Sequence, residues 1–206
     1  MTDTDDGFVP GMPAASDPIT ALKAALRRHS AEIRGRVHEA GAAAAAERLR
    51  VQGLLAFSPF RFACFSGFWP IRSEIDPRPL MRSLLHEDPR RLAALPVIVG
   101  PDRPLEFRQW RPEDVLPRGP FGTAHPDPAA ATVVPDLVMV PLLAFDRRRH
   151  RLGYGGGFYD RTLRSLRRDR RLLAVGIAYA AQEVAEVPVE PTDEPLDLVL
   201  TEEGAF

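Results

Sequence analysis

The chain predicts a three-layer α/β fold, a mostly parallel central sheet with helices on both faces. Three observations carry that expectation. Short apolar runs alternate with helical patterns over most of the 206 residues. The run from Leu137 to Phe145, closed by Pro141 and Asp146, is apolar throughout, as a strand covered on both faces should be. A turn with four glycines in five positions, Gly153 to Gly157, then joins that strand to a helix.

Taken in order, Asp17-Pro18 starts the first helix, with an N-cap acceptor followed by proline at the first helical position. Ile19, Leu22, Leu26 and Ile33 form an apolar stripe at helical spacing, and Lys23 and Arg27 border it one turn apart. A second helix is expected from Val37 through the Ala42 to Ala46 run to Leu55. Phe60 to Phe65 reads as a strand, Asp76-Pro77 caps a helix from Arg78 to His86, and Leu95 to Val99 is a second strand. Leu105 to Trp110 alternates as a half-exposed strand does. Between Arg111 and Asp136 six prolines erase all period, which predicts an irregular and functional loop. A helix to about Arg170, a strand from Leu172 to Ile177 and a last strand from Leu196 to Thr201 complete the fold. Residues 17–206 read as one domain.

Composition bounds the function. The net charge of −1 gives no bulk attraction to nucleic acid or membrane, and no apolar run has spanning length. The single cysteine, Cys64, sits among apolar neighbours and reads as a buried thiol in a reducing compartment. Residues 1–16 carry acids at Asp3, Asp5 and Asp6 and no basic residue, so they are neither a signal nor a transit peptide and are expected to be a disordered tail. A soluble, cytoplasmic, monomeric protein is the expectation. Of 27 basic residues, Lys23 is the one lysine. In so arginine-rich a chain, a lone lysine marks either chance or a place where a compact ammonium is needed.

The chemistry concentrates in Arg151-Leu152-Gly153-Tyr154-Gly155-Gly156-Gly157-Phe158-Tyr159-Asp160-Arg161. Glycines before a helix let backbone N–H groups approach phosphate oxygens closely, and the helix N-terminus favours the anion. The loop is not a Walker A motif, which ends in Gly-Lys-Ser/Thr, nor a dinucleotide fingerprint, since Phe158 stands where a third glycine belongs. Zinc-hydrolase, nucleophile-elbow and kinase signatures are absent from the sequence. Arg147 to Arg149 are either a solvated loop or a short nucleic-acid patch, whereas Arg151 abuts the glycines and reaches the same anion.

Val140 to Asp146 together with Arg151 to Arg161 resembles the signature of the 5-formyltetrahydrofolate cyclo-ligase family. Lys23-Ala24-Ala25-Leu26-Arg27, Trp69-Pro70-Ile71-Arg72-Ser73-Glu74-Ile75-Asp76, and Val187-Pro188 through Asp193 to Leu196-Asp197 resemble three further family segments, in order. The resemblance implies ATP- and Mg²⁺-dependent conversion of 5-formyltetrahydrofolate to 5,10-methenyltetrahydrofolate, with release of ADP and phosphate. It implies that Lys23, Arg27, Arg151 and the segment Leu152, Gly153, Tyr154, Gly155, Gly156, Gly157, Phe158 and Tyr159 bind ATP. Tyr159 and Arg151 would serve the reaction. Trp69 and Glu74, with Tyr154 to Phe158, would face the folate, and Asp160 and Asp193 would hold magnesium. Asp160 at a helix N-terminus also reads as a simple dipole partner.

Trp110 reads as a core aromatic or a second stacking group, and Arg72, Arg108 and Arg111 as surface residues or partners for the substrate's glutamate. Two positions depart from the family. Gly122-Thr123-Ala124-His125-Pro126 stands where it usually reads Gly-Ile-x-Glu-Pro, and Phe158 replaces a common Tyr. The competing reading is a non-catalytic folate- or nucleotide-binding homologue. An RNA-binding role is disfavoured by the balanced charge.

Overall fold

The structure is a computed structural model that describes residues 17–117 and 125–206; the expected tail and Gly122 to Ala124 lie outside the described residues. Helix α1 spans Pro18–Phe57, and strand β1 is Cys64–Ser66. Helix α2 (Arg78–Glu87), β2 (Leu92–Val97) and β3 (Glu106–Trp110) follow. Then come β4 (Leu137–Pro141), β5 (Ala144–Phe145) and β6 (Arg151–Leu152). Helix α3 (Phe158–Asp169), β7 (Leu173–Ile177), a 3-10 turn Ala180–Gln182 and β8 (Leu198–Leu200) end the chain.

Six strands form one sheet in the order β3-β2-β1-β4-β7-β8, and only the β2–β3 pair is antiparallel. Side chains alternate across it with a period of two. Leu137, Met139, Val175 and Ile177 meet Leu49 and Phe57 of α1 and Leu80, Met81 and Leu84 of α2. Val138, Val140, Ala174 and Val199 meet Leu163 of α3 on the other face. This is the expected three-layer arrangement. The chain runs outward from β1 to β3 in one direction and from β4 to β8 in the other, so the strand order reverses between β1 and β4. A crevice opens outside the carboxyl ends of strands at such a reversal, and it is there that ligands of open α/β sheets bind.

Several expectations are corrected. The two expected helices are both present within Pro18–Phe57, but the break between them falls at Gly41, where the backbone leaves helical geometry (φ 171°, ψ 49°), and not between Ile33 and Val37. The apolar stripe of its first half holds in part: Ile19, Leu26 and Ile33 are half-buried, with Leu26 against Ala144, Leu152 and Val187, but Leu22 is 59% exposed. The deepest positions on that face are polar, Lys23, Ser30 and Arg34, because this half of the helix covers a polar cleft. The strand expected at Phe60 to Phe65 begins only at Cys64: Phe62 instead packs edge-on between Phe57 and Phe65, and Asp136 takes the backbone N–H groups of Ala63 and Cys64. The run from Leu137 to Phe145 splits after Pro141, and its second piece pairs with Arg151–Leu152 as a hairpin. That partner is two residues long and leaves no periodic trace in the sequence. Asp17 and Asp76 do act at helix starts, accepting from Ile19 N at 3.2 Å and Arg78 N at 2.9 Å.

Candidate active site

A cleft of about 400 Å³ lies at the carboxyl ends of β1, β2 and β4. All the residues singled out for catalysis, nucleotide, folate and metal line it: Lys23, Arg27, Trp69, Glu74, Arg151 to Asp160, and Asp193. Arg72 and His125 line it as well. Trp110 does not; it is 2% exposed and packs in the core between sheet and helices, because its strand turns it inward. Arg108 and Arg111 also lie outside the lining, so a contact of either with substrate glutamate finds no support in the cleft's walls.

The glycine loop follows β6 and ends in α3. Gly155 and Gly157 adopt φ of +100° and +64°, backbone that side-chain-bearing residues rarely enter. Gly157 is also the residue on which α3 begins, so the first N–H groups of that helix open at the loop. Arg27 reaches across from α1 and donates from Nε to the Gly153 carbonyl at 2.9 Å. A Cβ on Gly155 would stand 3.4 Å from the Arg27 guanidinium, so the loop and this cation are packed to contact.

Lys23 is 5% exposed, and its ammonium donates to Glu190 Oε2 and Asp193 Oδ2, each at 2.6 Å. Burial alone lowers an ammonium's pKa; the two carboxylates outweigh it and hold Lys23 above its usual value. Asp193 Oδ2 also accepts from the Glu190 N–H at 2.8 Å, which closes a tight turn over the lysine. Arg151 donates to Asp160 Oδ1 and to the Glu194 carbonyl, and Asp160 Oδ1 accepts from Glu194 N at 3.0 Å. This ties the segment from Glu190 to Glu194 to the start of α3. Asp160 is therefore more than a helix-dipole partner.

The other part of the cleft is built on the segment after β1. Glu74 is 5% exposed; its Oε1 accepts from the Tyr154 hydroxyl and its Oε2 from Ile71 N, both at 2.9 Å. Burial pushes its carboxyl up, opposed by the Ile71 N–H, Arg34, Tyr154 and Arg72. Trp69 carries the Arg78 guanidinium over its ring at 4.4 Å, and Asp76 holds that arginine. Tyr159 packs beside Phe158 against the α3-side core. Burial, and then the charge of Glu74, push its phenol far up, against Arg151, so it stays a proton donor. His125 is held below its usual value by burial and Arg108, so the imidazole in the cleft is neutral at pH 7.

Two further expectations, one at the surface and one in the core, agree with the structure. Arg147 and Arg148 pair with Glu183 and Glu186, and Arg149 donates to the Asp197 carbonyl, so the run is a solvated loop with its own partners. Burial pushes the Cys64 thiol up to about 11, as an inert core cysteine requires. Sequence reasoning missed Glu190, Arg34 and the apolar wall of Phe68, Ile71, Pro96, Ile98 and Leu105. Glu190 lies 167 residues from Lys23, and no local pattern signals such a pairing.

The chain that builds this cleft is similar over most of its length to known proteins. A sequence model described as the 5-formyltetrahydrofolate cyclo-ligase family matches residues 19–202. The 5-formyltetrahydrofolate cyclo-ligase of Mycolicibacterium smegmatis is 34% identical over 187 residues, 87% of this chain and 93% of that one. The cyclo-ligase of Haemophilus influenzae is 38% identical over 96 residues, 45% of this chain and 51% of that one. The solution structure of Aquifex aeolicus 5,10-methenyltetrahydrofolate synthetase superposes with a TM-score of 0.73 at 28% identity, covering 89% of this chain and 91% of that one. On a match that spans nearly its whole length and a fold shared with a solved relative, the chain belongs to the 5-formyltetrahydrofolate cyclo-ligase family.

Proposed function

We propose that this chain catalyses the ATP- and Mg²⁺-dependent cyclisation of 5-formyltetrahydrofolate to 5,10-methenyltetrahydrofolate. The observation that carries the reading is the meeting, in one cleft, of the glycine loop with Lys23, Arg27 and Arg151 and of that same loop with Glu74 through Tyr154. An N-formyl oxygen is a poor leaving group. It attacks the γ-phosphorus, ADP departs, and the formyl carbon becomes open to the N10 amine. Ring closure, loss of the N10 proton and departure of phosphate with the former formyl oxygen complete the reaction. No protein nucleophile is required; the work is positioning and charge neutralisation.

Lys23, Arg27 and Arg151 neutralise phosphate charge, and the N–H groups at the start of α3 receive phosphate oxygens. Tyr159, protonated, donates toward the formyl oxygen, Glu74 accepts from the pterin and Trp69 covers its face. Asp160 commits Oδ1 to Arg151 and Glu194, and Asp193 commits Oδ2 to Lys23 and Glu190; the second oxygen of each carries no hydrogen bond among the described residues. Two such carboxylates fit Mg²⁺, which takes one or two of them and completes its shell with phosphates and water. Held there by Asp160 and Asp193, the metal would neutralise phosphate charge.

No described helix is long and apolar enough to cross a membrane, and the balanced charge offers no bulk attraction to nucleic acid or an anionic membrane surface; the single, buried cysteine is in keeping with a reducing compartment. The test is the near-ultraviolet absorbance of the methenyl product, with ATP and Mg²⁺ supplied together and omitted singly. Product formed without either one overturns the proposal. Ligand-dependent thermal stabilisation with no product supports the non-catalytic binding homologue instead, a reading that the His125 departure favours.

A further inference from the structure

We infer that Arg34 is a positioning residue for folate recognition, holding Glu74 and Tyr154 from beneath in the geometry that receives the pterin. The inference rests on the folate cleft proposed above. Arg34 projects from α1, is 2% exposed and does not line the cleft. Its Nε donates to Ser73 Oγ at 3.1 Å, its NH1 stands 3.8 Å from Glu74 Oε1, and its Cζ lies 5.5 Å from the Tyr154 ring centroid. The Tyr154 hydroxyl donates to the same Glu74 oxygen. Arg34, Glu74 and Tyr154 thus form a closed triangle of one cation, one carboxylate and one ring. Arg34 NH1 makes no hydrogen bond among the described residues and acts on Glu74 through space, while Nε is taken by Ser73 and the guanidinium also steadies the Tyr154 phenol.

The physical need is plain. A buried carboxyl without a nearby cation takes up a proton, and a protonated carboxyl presents a donor where a pterin N–H needs an acceptor. Glu74 faces Arg34 from α1, Arg72 from its own loop, Tyr154 from the glycine loop and Tyr159 from α3. Of these, Arg34 is the fully buried cation, shielded from salt and solvent; Arg72 sits in the cleft, 5.9 Å from the opposite partner's ring. A merely structural arginine would tie α1 to Ser73 and leave the ionisation of Glu74 unchanged.

The experiment is equilibrium binding of 5-formyltetrahydrofolate as a function of pH, alongside turnover, for the wild-type protein, Arg34→Met and Arg34→Lys. The same substitutions are made in a Glu74→Gln background. Losing the cation should move the acid limb of folate binding upward by about one pH unit, a roughly tenfold loss on the acid side that shrinks above it. Arg34→Lys should restore most of the limb, and ATP affinity should fall less than folate affinity, because Arg34 meets the glycine loop only at the Tyr154 ring. With Glu74→Gln in place, Arg34→Met should add less than about threefold and no pH dependence, since neighbouring sites that act together are non-additive. Thermal melting checks folding, and Arg34→Gln replaces the methionine variant if that one does not fold. An unmoved acid limb, or an equal loss in the Glu74→Gln background, overturns the inference. Wild-type protein that binds folate but forms no product overturns the cyclo-ligase reading alone, because the binding limb still reports on Arg34.

Discussion

Removing Lys23 should separate nucleotide from folate binding. In Lys23→Ala the phosphates lose a charge-assisted hydrogen bond, which is worth roughly 1.5–3 kcal/mol, or about 10- to 150-fold in Kd for MgATP. The upper part of that range is expected here. Glu190 and Asp193 now share the Lys23 ammonium at 2.6 Å each, and without it two carboxylates face the incoming phosphates. The stability cost should be smaller. The side chains of Glu190 and Asp193 are 39% and 25% exposed, so the broken pairs together cost about 1–2 kcal/mol after solvent screening. Lys23→Arg should rescue only in part, because a planar fork does not fill the place of a point charge between two acids. Calorimetric titration with MgATP and, separately, with 5-formyltetrahydrofolate reads the result, with a thermal melt as the folding check. A folded Lys23→Ala protein with unchanged ATP affinity, or an equal loss for folate, refutes the assignment.

Three other outcomes follow from particular contacts. Gly155→Ala must hold a side chain at φ +100° and press on Arg27, so it should cost about 1–2 kcal/mol and raise the KM for ATP more than that for folate; normal ATP kinetics would mean that the loop is not the phosphate cradle. Tyr159→Phe keeps the ring and removes a donor that cannot ionise near neutrality, so kcat should fall about 10- to 100-fold with ATP affinity kept; an unchanged kcat removes Tyr159 from the reaction. Burial raises Asp146, but N–H groups of Val187 and His150, then Arg148, hold it below its usual 3.8. Its contribution to stability is therefore fully present above pH 3.8 and lost as pH falls through the lower folded value. Asp146→Asn should flatten the acid end of the stability curve measured by urea unfolding, and a curve that keeps its acid slope would show that other groups set it.

The fold class, the sheet's parallel character and the cleft's principal residues were legible because each rests on a local signal. Four glycines between a strand and a helix announce a close backbone approach, and a lone lysine among 26 arginines announces a special cation. Illegible were features made by distant segments. The Glu190–Lys23 contact and the apolar wall of Phe68, Pro96 and Leu105 join segments far apart in the chain, whereas the Arg151–Leu152 strand is a local hairpin partner too short to leave a period. The stripe of α1 marked the covered side, with Leu22 its exposed member. Apolar periodicity does not report that Lys23, Ser30 and Arg34, spaced between its members, are buried more deeply than they are.

Those buried polar positions show how α1 divides its labour. Its second half carries Ala45, Ala46, Leu49 and Phe57 into the core against α2 and the sheet, which is where its stability comes from. Its first half presents Lys23, Arg27, Ser30 and Arg34 at helical spacing, and the three cations each reach a different wall of the cleft: the Glu190–Asp193 turn, the glycine loop, and the segment of Ser73 and Glu74. Buried ion pairs add little net stability, because desolvation offsets most of the attraction. Four buried or half-buried polar positions in a row are therefore poorly explained as a folding device. As a ligand device they are well explained: charges already stripped of water and held by a rigid helix interact strongly with phosphate and need no reorganisation when it arrives. On this argument the boundary falls at Gly41, where the helical backbone is interrupted. Substitutions before it should act first on binding, and those after it first on stability.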